Sequence, residues 1–360
     1  QVLWGHKLPL VIGPATVLLI GLVTSQTEDV SEVYAAMICG GILIFLLSFT
    51  RLMYHLQKIF TDRVIVVILA LIAITIMPTI LQLVFEGKDS GLFPLGFTMV
   101  FVLALIVANK LLRGICKSTV VLWGVVIGSV CYDLFTGTGL TLPESEAGDA
   151  GALFISGFHI NPGILLSFLF CYIALFINEI GSIQSVGAAI GEGKLEGRSK
   201  NGLRFTGLLN VLSGAVGVVG PVDFSLSPGV IMSTGCASRY TLIPAGAALI
   251  ICSFFPKAIG LFTLIPQPVM GIVMLYLMMT QLASALQLTS IKNAASDFDS
   301  CMTIAVPLMI SSVIVFMPAE YTAAIPAMLR PLLAKGFVVG IVTVLVMEHL
   351  VYRKKEKRSA

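Results

Sequence analysis

Runs of apolar residues recur along the whole chain of 360 residues and constrain its fold more than any other feature of the sequence. Each run, at roughly 15 to 22 residues, is long enough to cross most or all of a bilayer as a helix. Lipid offers no hydrogen-bond partners to exposed backbone, so a spanning segment must be a helix or part of a closed barrel. Only 11% of the residues are charged, against about 25% in soluble domains. The sequence therefore predicts an all-α polytopic membrane protein.

We divide the apolar runs into about twelve predicted membrane segments. They cover residues 8–23, 33–49, 64–83, 95–108, 120–134, 164–188, 203–219, 221–234, 242–264, 269–286, 302–316 and 332–351. We expect the polar stretch 191–204 to be a loop that connects two halves of the chain.

Basic and acidic residues collect in alternate loops, which predicts the orientation. Arg51, Lys58 and Arg63 lie in one basic loop, and the tail at 353–360 is also basic. Basic loops stay on the cytoplasmic side of a membrane. We therefore expect a multi-pass protein of the cytoplasmic membrane, with its C-terminus in the cytoplasm.

The stretch 217–235 interrupts this pattern because it carries four glycines and two prolines. Pro221 and Pro228 argue against a continuous helix, since proline lacks a backbone N–H group and biases the preceding residue toward extended geometry. We expect an extended piece near 222–227 and then a half-helix that begins at Pro228 or Gly229. Such a break is tolerated in hydrocarbon only inside the protein or along a cavity, and transporters bind small polar solutes at such breaks. A kinked segment without a ligand is the alternative.

An internal echo of this break occurs near the start of the chain. Residues 8–14 and 221–228 are both short, extended-looking pieces that enter a membrane segment. Corresponding broken segments in two halves of a chain are typical of inverted-repeat transporters. The sequence therefore predicts an inverted repeat with two broken segments that contain short extended pieces.

Glu179 is a carboxylate well inside the apolar run 164–188. A charge at that depth costs about 2.5 to 3.5 kcal/mol on insertion scales, and this cost is met by facing a cavity, by pairing or by protonation. Glu179 is therefore a candidate both for binding a solute and for exchanging a proton. Helical spacing places Asn178, Ser182 and Ser185 on an adjoining strip that can meet a hydrogen-bonding solute. The alternative role of Glu179 is structural, tying two helices together.

Four residues of the broken segment are further candidates for the site: Asp223, Phe224, Ser225 and Ser227. Asp223 can bind a solute or exchange a proton, or it can cap the half-helix by accepting its N–H groups. The two serines can do either job. Phe224 can stack on a flat ring, although an aromatic side chain here can equally serve packing.

Other classes of function find no support in the residues. The seven cysteines occur singly, without a Cys-x-x-Cys pair or a Cys/His cluster, so neither a disulfide framework nor a metal site is predicted. The formal charge of +3 gives no basis for nucleic-acid binding. No nucleophile–base pair or phosphate-cradling loop occurs in a suitable context. We predict a protein that is not an enzyme and has no cofactor.

Three stretches resemble the nucleobase–ascorbate transporter family, which includes bacterial uracil and xanthine permeases. They are the helix with Glu179 and Gly181, the sequence Gly-Pro-Val-Asp-Phe-Ser-Leu-Ser-Pro-Gly-Val-Ile-Met-Ser-Thr-Gly at 220–235, and Ile-Pro-Gln-Pro-Val-Met-Gly at 265–271. The family signature is Gln, Glu or Pro, then Asn, any residue, Gly, four residues, Thr, and Arg, Lys or Gly. Gly229, Thr234 and Gly235 match it, whereas Leu226 and Ser227 stand at its Gln/Glu and Asn positions.

The resemblance implies a fold of fourteen segments in two inverted repeats of seven, with a core domain, a gate domain and often a dimer. Matching the segments makes the first one here the family's third, so the resemblance implies that the family's first two are missing from this sequence. The implied core covers 1–60 and 159–265 and holds the substrate. The implied gate covers 61–158 and 266–352, followed by the cytoplasmic tail 353–360.

The resemblance also implies a function, which is uptake of a nucleobase of the xanthine or uracil class together with protons. Glu179 resembles the substrate-binding glutamate of the family, but the family's glycine usually follows three residues later, and counting back from Gly181 gives Asn178 instead. Glu179 would accept hydrogen bonds from ring N–H groups, and backbone N–H groups near Ser227 and Gly229 would donate to ring carbonyls.

The other broken segment would complete the pocket through Ile12, Gly13 and Ala15. Glu179 and Asp223 are the candidates for proton coupling. The expected partners are the solute, protons, the lipid bilayer and a second copy of the chain. Two alternatives stay open: an anion transporter of the sulfate permease type, and a membrane binding protein that does not transport.

Overall fold

The computed structural model describes residues 1–15, 17–18, 30–50, 59–85, 92–137, 159–193, 195–224, 226–255, 260, 264–326, 329 and 333–352. Helices dominate this part of the chain. In chain order the elements are β1 (Ile12–Pro14), α1 (Val30–Leu47), α2 (Asp62–Thr75), α3 (Met77–Phe85), α4 (Phe93–Leu111), α5 (Ile115–Ser118), α6 (Val120–Thr136), α7 (Pro162–Ala189), α8 (Glu196–Val216), β2 (Pro221–Asp223), α9 (Ser227–Thr234), α10 (Leu242–Ser253), α11 (Gln267–Ile291), α12 (Phe298–Val315), α13 (Ala319–Ala324) and α14 (Gly336–Val346). A 3-10 turn at Arg239–Thr241 precedes α10, and a π-helical turn at Met347–Val351 follows α14.

Several helices are long and apolar enough to cross a membrane. In the described residues there are five such spans: Asp62–Phe85, Phe93–Leu111, Pro162–Ala189, Gln267–Ile291 and Phe298–Val315. A sixth results if α9 and the stretch Arg239–Ser253, which meet at a bend of 106°, form one broken span. The chain is a multi-pass helical membrane protein, as the apolar runs predict.

The predicted segments from 33–49 onward each contain a helix of the structure. The predicted break in 221–234 is confirmed, because β2 is extended and α9 begins at Ser227. The segment 8–23 starts as extended chain with β1, and residues 19–29 lie outside the described part.

The prediction of a loop over 191–204 is wrong for most of its length, because α8 begins at Glu196. Lys200 donates to Glu196 at 3.0 Å, which is the i,i+4 spacing that supports a helix. An acidic residue in the first turn also complements the helix dipole. Polar composition here marks the first turns of a helix and not irregular chain.

Two hydrophobic clusters divide the helices into two groups. One cluster joins α2, α3, α4, α6, α11 and α14 through residues such as Ile68, Ile272 and Ile341. The other joins the first extended segment, α1, α7, α8 and β2 through residues such as Met37 and Phe168. Each group therefore buries its own apolar side chains.

Close approach between α1 and α8 depends on glycine. A methyl group added at Gly207 would lie 2.6 Å from the backbone nitrogen of Phe45, and one at Gly41 would lie 2.8 Å from that of Val211. Small residues at a membrane helix contact let two backbones pack directly against each other. This contact fixes α8, which carries part of the polar cluster described below.

The strands β1 and β2 pair antiparallel and join the two breaks in the chain. Ile12 pairs with Asp223, Gly13 with Val222 and Pro14 with Pro221. Beyond the strands, the Phe224 N–H donates to the Val11 carbonyl at 2.8 Å. The two echo segments found in the sequence therefore meet, and the backbone groups of each form hydrogen bonds with those of the other.

Candidate functional site

A cavity of about 600 Å³ lies between the two groups of helices, within the range of roughly 300–1,000 Å³ that small-molecule sites occupy. Its wall is mostly apolar, with a few polar groups. The described lining residues are Ala15, Val17, Thr75, Ile76, Pro78, Thr79, Ala174, Leu175, Asn178, Val222, Phe224, Leu226, Met274, Val315, Ala334, Lys335, Gly336, Phe337 and Val338.

Much of the lining comes from places where an element begins, ends or breaks. Thr75 and Thr79 flank the break between α2 and α3, Phe224 follows β2, and Lys335 precedes α14. Asn178 reaches the cavity from within α7. Irregular backbone is tolerated at membrane depth where it borders a cavity. The position of these breaks along the cavity wall therefore fits a membrane protein.

Glu179 lies beside this cavity but is fully buried behind the strand β2. Its Oε1 accepts from the Thr206 hydroxyl at 2.5 Å, and its Oε2 accepts from the Asp223 backbone N–H at 3.0 Å. Thr206 Oγ1 also accepts from the Gln1 side-chain amide at 2.7 Å. The carboxyl group thus connects α7 to α8 and to β2.

Asp223 and His6 complete a buried polar cluster with Glu179. The Asp223 carboxyl is 1% exposed, and His6 is 0% exposed. His6 Nε2 lies 3.3 Å from Asp223 Oδ2, without the alignment of a hydrogen bond. The Leu8 N–H donates to His6 Nδ1 at 2.9 Å, so Nδ1 carries no proton and the ring is a neutral imidazole with its proton on Nε2. The carboxyl groups of Asp223 and Glu179 interact electrostatically.

Further hydrogen bonds hold β2 in place. The Asn210 amide on α8 donates to the Pro221 carbonyl at 2.8 Å, and its oxygen accepts from the Tyr172 hydroxyl at 3.0 Å. On the cavity side, Asn178 Nδ2 donates to the Asp223 carbonyl at 3.4 Å. The strand is therefore held by side chains from both α7 and α8.

The comparisons with known proteins identify the family. A model described as the Permease family matches residues 1–320. The chain belongs to this permease family. It is 24% identical to a putative purine permease of Clostridium perfringens over 320 residues, which is 88% of this chain and 70% of the relative. It is 25% identical to a xanthine permease of Bacillus subtilis over 370 residues, with 97% and 80% covered, and 21% identical to the uric acid permease PucJ of the same organism over 369 residues, with 99% and 81% covered.

These matches confirm the resemblance to the nucleobase–ascorbate transporter family. The family and the names of these relatives are those of transporters and not of enzymes. In the described ranges of this permease, no group of three or more His, Cys, Asp or Glu side chains is arranged to hold a metal ion.

The predicted site residues divide between the cavity wall and the support behind it. Phe224 and Ala15 line the cavity, whereas Glu179 and Asp223 do not. Asn178, the alternative to Glu179, does line it. Direct binding of the solute by Glu179 stays a prediction.

The remaining predicted residues belong to the packing and hydrogen bonding around the break. Ser227 Oγ accepts from the Val11 N–H at 3.0 Å and donates to the Phe224 carbonyl at 2.7 Å. A methyl group at Gly229 would lie 2.8 Å from the Leu277 carbonyl, so Gly229 lets α9 pack on α11. Gly13 lies against the Phe224 ring.

The neighbouring Ile12 is 38% exposed. Ser225 lies outside the described residues.

Three residues of this region were not predicted from the sequence: His6, Thr206 and Lys335. His6 and Thr206 carry no local signal, since their importance depends on side chains from distant segments. Lys335 does carry one, because it falls inside the predicted segment 332–351, and a cation within an apolar run marks a functional candidate.

Proposed function

We propose that this chain is a secondary transporter that moves a nucleobase of the xanthine or uracil class, together with protons, across the cytoplasmic membrane. The observation that carries the proposal is that β2 contacts the cavity on one side and the buried Glu179 on the other. On its cavity side, β2 leads into Phe224 and accepts a bond from Asn178. On its buried side, the N–H of the same strand donates to the Glu179 carboxylate.

The cavity suits a flat, hydrogen-bonding ring. Phe224 and Phe337 supply aromatic surface, and Asn178 supplies an amide that can both donate and accept. Mostly apolar walls with a few placed polar groups are typical of small-molecule sites. A compact tetrahedral anion such as sulfate has no flat face that can stack on an aromatic ring. This lining therefore favours a base over the sulfate alternative.

The buried cluster is suited to carrying a proton. Two carboxyl groups that interact in a low-dielectric interior cannot both be ionised without a large electrostatic cost. His6 adds no positive charge, because its single ring proton is on Nε2. Glu179 and Asp223 therefore share at least one proton, which is titrated as a property of the pair.

Coupling between solute and proton would run through β2. A change of protonation at Glu179 alters its bond to the Asp223 N–H, and β2 continues directly into Phe224 on the cavity wall. In this proposal the core, 1–60 and 159–265, moves against the gate, 61–158 and 266–352, to expose the cavity to each side in turn. The separate hydrophobic clusters and the paired strands support that division and an inverted repeat.

The orientation and assembly of the protein belong to the same proposal. We infer that the basic tail lies in the cytoplasm, because the basic loops stay on that side. We also expect two copies of the chain to associate through the gate.

Uptake of a panel of labelled nucleobases tests the proposal. Proteoliposomes containing the purified protein should accumulate at least one base when a pH gradient is imposed, and a proton uncoupler should abolish accumulation. Uptake of labelled sulfate or bicarbonate that no base competes with would favour the anion transporter. A folded protein that binds no base under any condition would favour the binding protein and refute transport of nucleobases.

A further inference from the structure

We propose that Lys335 makes the cavity selective for a purine that carries a negative charge. This inference rests on the proposed function, since it names the substrate class of the same cavity. It goes beyond that function because the resemblance and the predicted site contain no cation in contact with the solute.

Lys335 is the one charged side chain among the described lining residues. Most of its surface is buried. Within the part of the chain that the structure describes, its ammonium group forms neither a hydrogen bond nor an ion pair. Buried cations are normally paired, because an isolated charge is costly in a low-dielectric interior. The cavity is therefore where a counter-charge for Lys335 can bind.

The position of Lys335 in its own helix adds to this argument. Lys335 is the N-cap residue of α14, and its side chain does not cap the helix. A cation at a helix N-terminus meets the positive end of the helix dipole, which is unfavourable. Local helix stability therefore gives no reason for a lysine here, and the N-terminus of α14 reinforces the attraction for an anion.

Lys335 and Asn178 lie on different elements of the cavity wall. Lys335 precedes α14, and Asn178 lies within α7. A purine carries hydrogen-bonding groups on both of its rings, so a single base offers an acceptor to the ammonium group and a partner to the amide.

The chemistry of the bases then separates the substrates. Urate is a monoanion at neutral pH, with several oxygen acceptors, whereas hypoxanthine and uracil are neutral. An anionic purine neutralises Lys335 and forms a charge-assisted hydrogen bond with it. A neutral base forms no such bond between opposite charges, so it binds less tightly than an anionic purine.

Competition binding at neutral pH, with urate and hypoxanthine as the two probes, tests the inference on purified, detergent-solubilised protein. Wild type should prefer urate. Lys335→Gln should weaken urate binding by about 10- to 100-fold, the loss expected for one hydrogen bond to a charged group, and should leave hypoxanthine affinity nearly unchanged. Lys335→Arg, which keeps the charge, should retain the preference. Lys292→Gln is the matched control, because Lys292 lies 48% exposed beside Asp62 at the surface and its pairing contributes little.

The outcomes separate this inference from the proposed function. Equal loss of urate and hypoxanthine in a folded Lys335→Gln protein would give Lys335 a structural role and overturn the inference alone. A wild type that binds hypoxanthine as tightly as urate would also overturn it, without any variant. Failure of folded wild type to bind either base would overturn the proposed function, and the inference with it.

Discussion

Replacement of Glu179 by Gln tests whether Glu179 carries the coupled proton, because it removes the titratable group with the least change of shape. The Gln oxygen can still accept from the Asp223 N–H, which lies 3.0 Å from Glu179 Oε2. The Gln amide can donate to Thr206 Oγ1, which is an acceptor as well as a donor. Glu179→Ala instead leaves these two buried donors without a partner, at about 1–3 kcal/mol for each. We therefore expect the Gln variant to fold like wild type and the Ala variant to be less stable.

The transport consequence can be worked out for proteoliposomes held at zero membrane potential. One coupled proton in a gradient of one pH unit supplies about 1.4 kcal/mol, which corresponds to about tenfold accumulation of the base. Wild type should approach this ratio for each coupled proton. Glu179→Gln should bring the base only to equal concentrations on both sides, and should still exchange labelled for unlabelled base.

Two results would refute this reasoning in different ways. Accumulation by Glu179→Gln at the wild-type ratio would show that Glu179 does not carry the coupled proton. Loss of both binding and exchange in a folded Gln variant would show that Glu179 contacts the base itself, as the sequence-based interpretation has it. Melting temperature in detergent distinguishes either result from unfolding.

Three other substitutions, one of them with a matched control, test the cavity and the packing around it. Asn178→Ala removes the one side-chain amide on the described cavity wall, so KM for the base should rise by about tenfold or more in transport assays. The melting temperature should change little, because the Ser182 hydroxyl also donates to the Asp223 carbonyl, at 3.3 Å. Gly207→Ala forces a methyl group against neighbouring backbone and should destabilise the protein by about 1–3 kcal/mol. Gly246→Ala, which meets no atom within 4 Å, should not lower the melting temperature. Tyr172→Phe removes the hydroxyl bonds to Asn210 and to a backbone carbonyl and should cost about 1 kcal/mol in denaturant titrations.

Local chemistry made the break between β2 and α9 predictable from the sequence. Pro221 and Pro228 act on their own neighbours, so their effect does not depend on distant parts of the chain. Gly235 ends α9 in the left-handed region at a φ of 66°, where glycine has no steric penalty. The same local reasoning placed most helices near their observed bounds.

The partners of Glu179 were not predictable in this way. Its carboxyl group meets Thr206 because α1 and α8 pack closely at Gly41 and Gly207, and a sequence does not show which face of α8 turns inward. His6 lies in a short stretch before the first strand, and only the pairing of β1 with β2 brings it to Asp223. Contacts between distant segments determine which side chains join the cluster, whereas the sequence pattern indicated only Glu179 and Asp223 as candidates.

In the proposed mechanism, Asn178 contacts the base and Glu179 carries the proton, two roles that the sequence-based interpretation assigned to Glu179 alone. Consecutive helical residues point about 100° apart, so one side chain lines the cavity while the next lies behind β2. Both contact the same residue of that strand: Asn178 donates to the Asp223 carbonyl at 3.4 Å, and Glu179 accepts from its N–H at 3.0 Å. In that mechanism, a base that competes for the Asn178 amide and a proton that binds Glu179 both act on the backbone of Asp223. Proposed coupling of this kind requires no movement of the proton into the cavity, because a shift of this residue would transmit each event to the other.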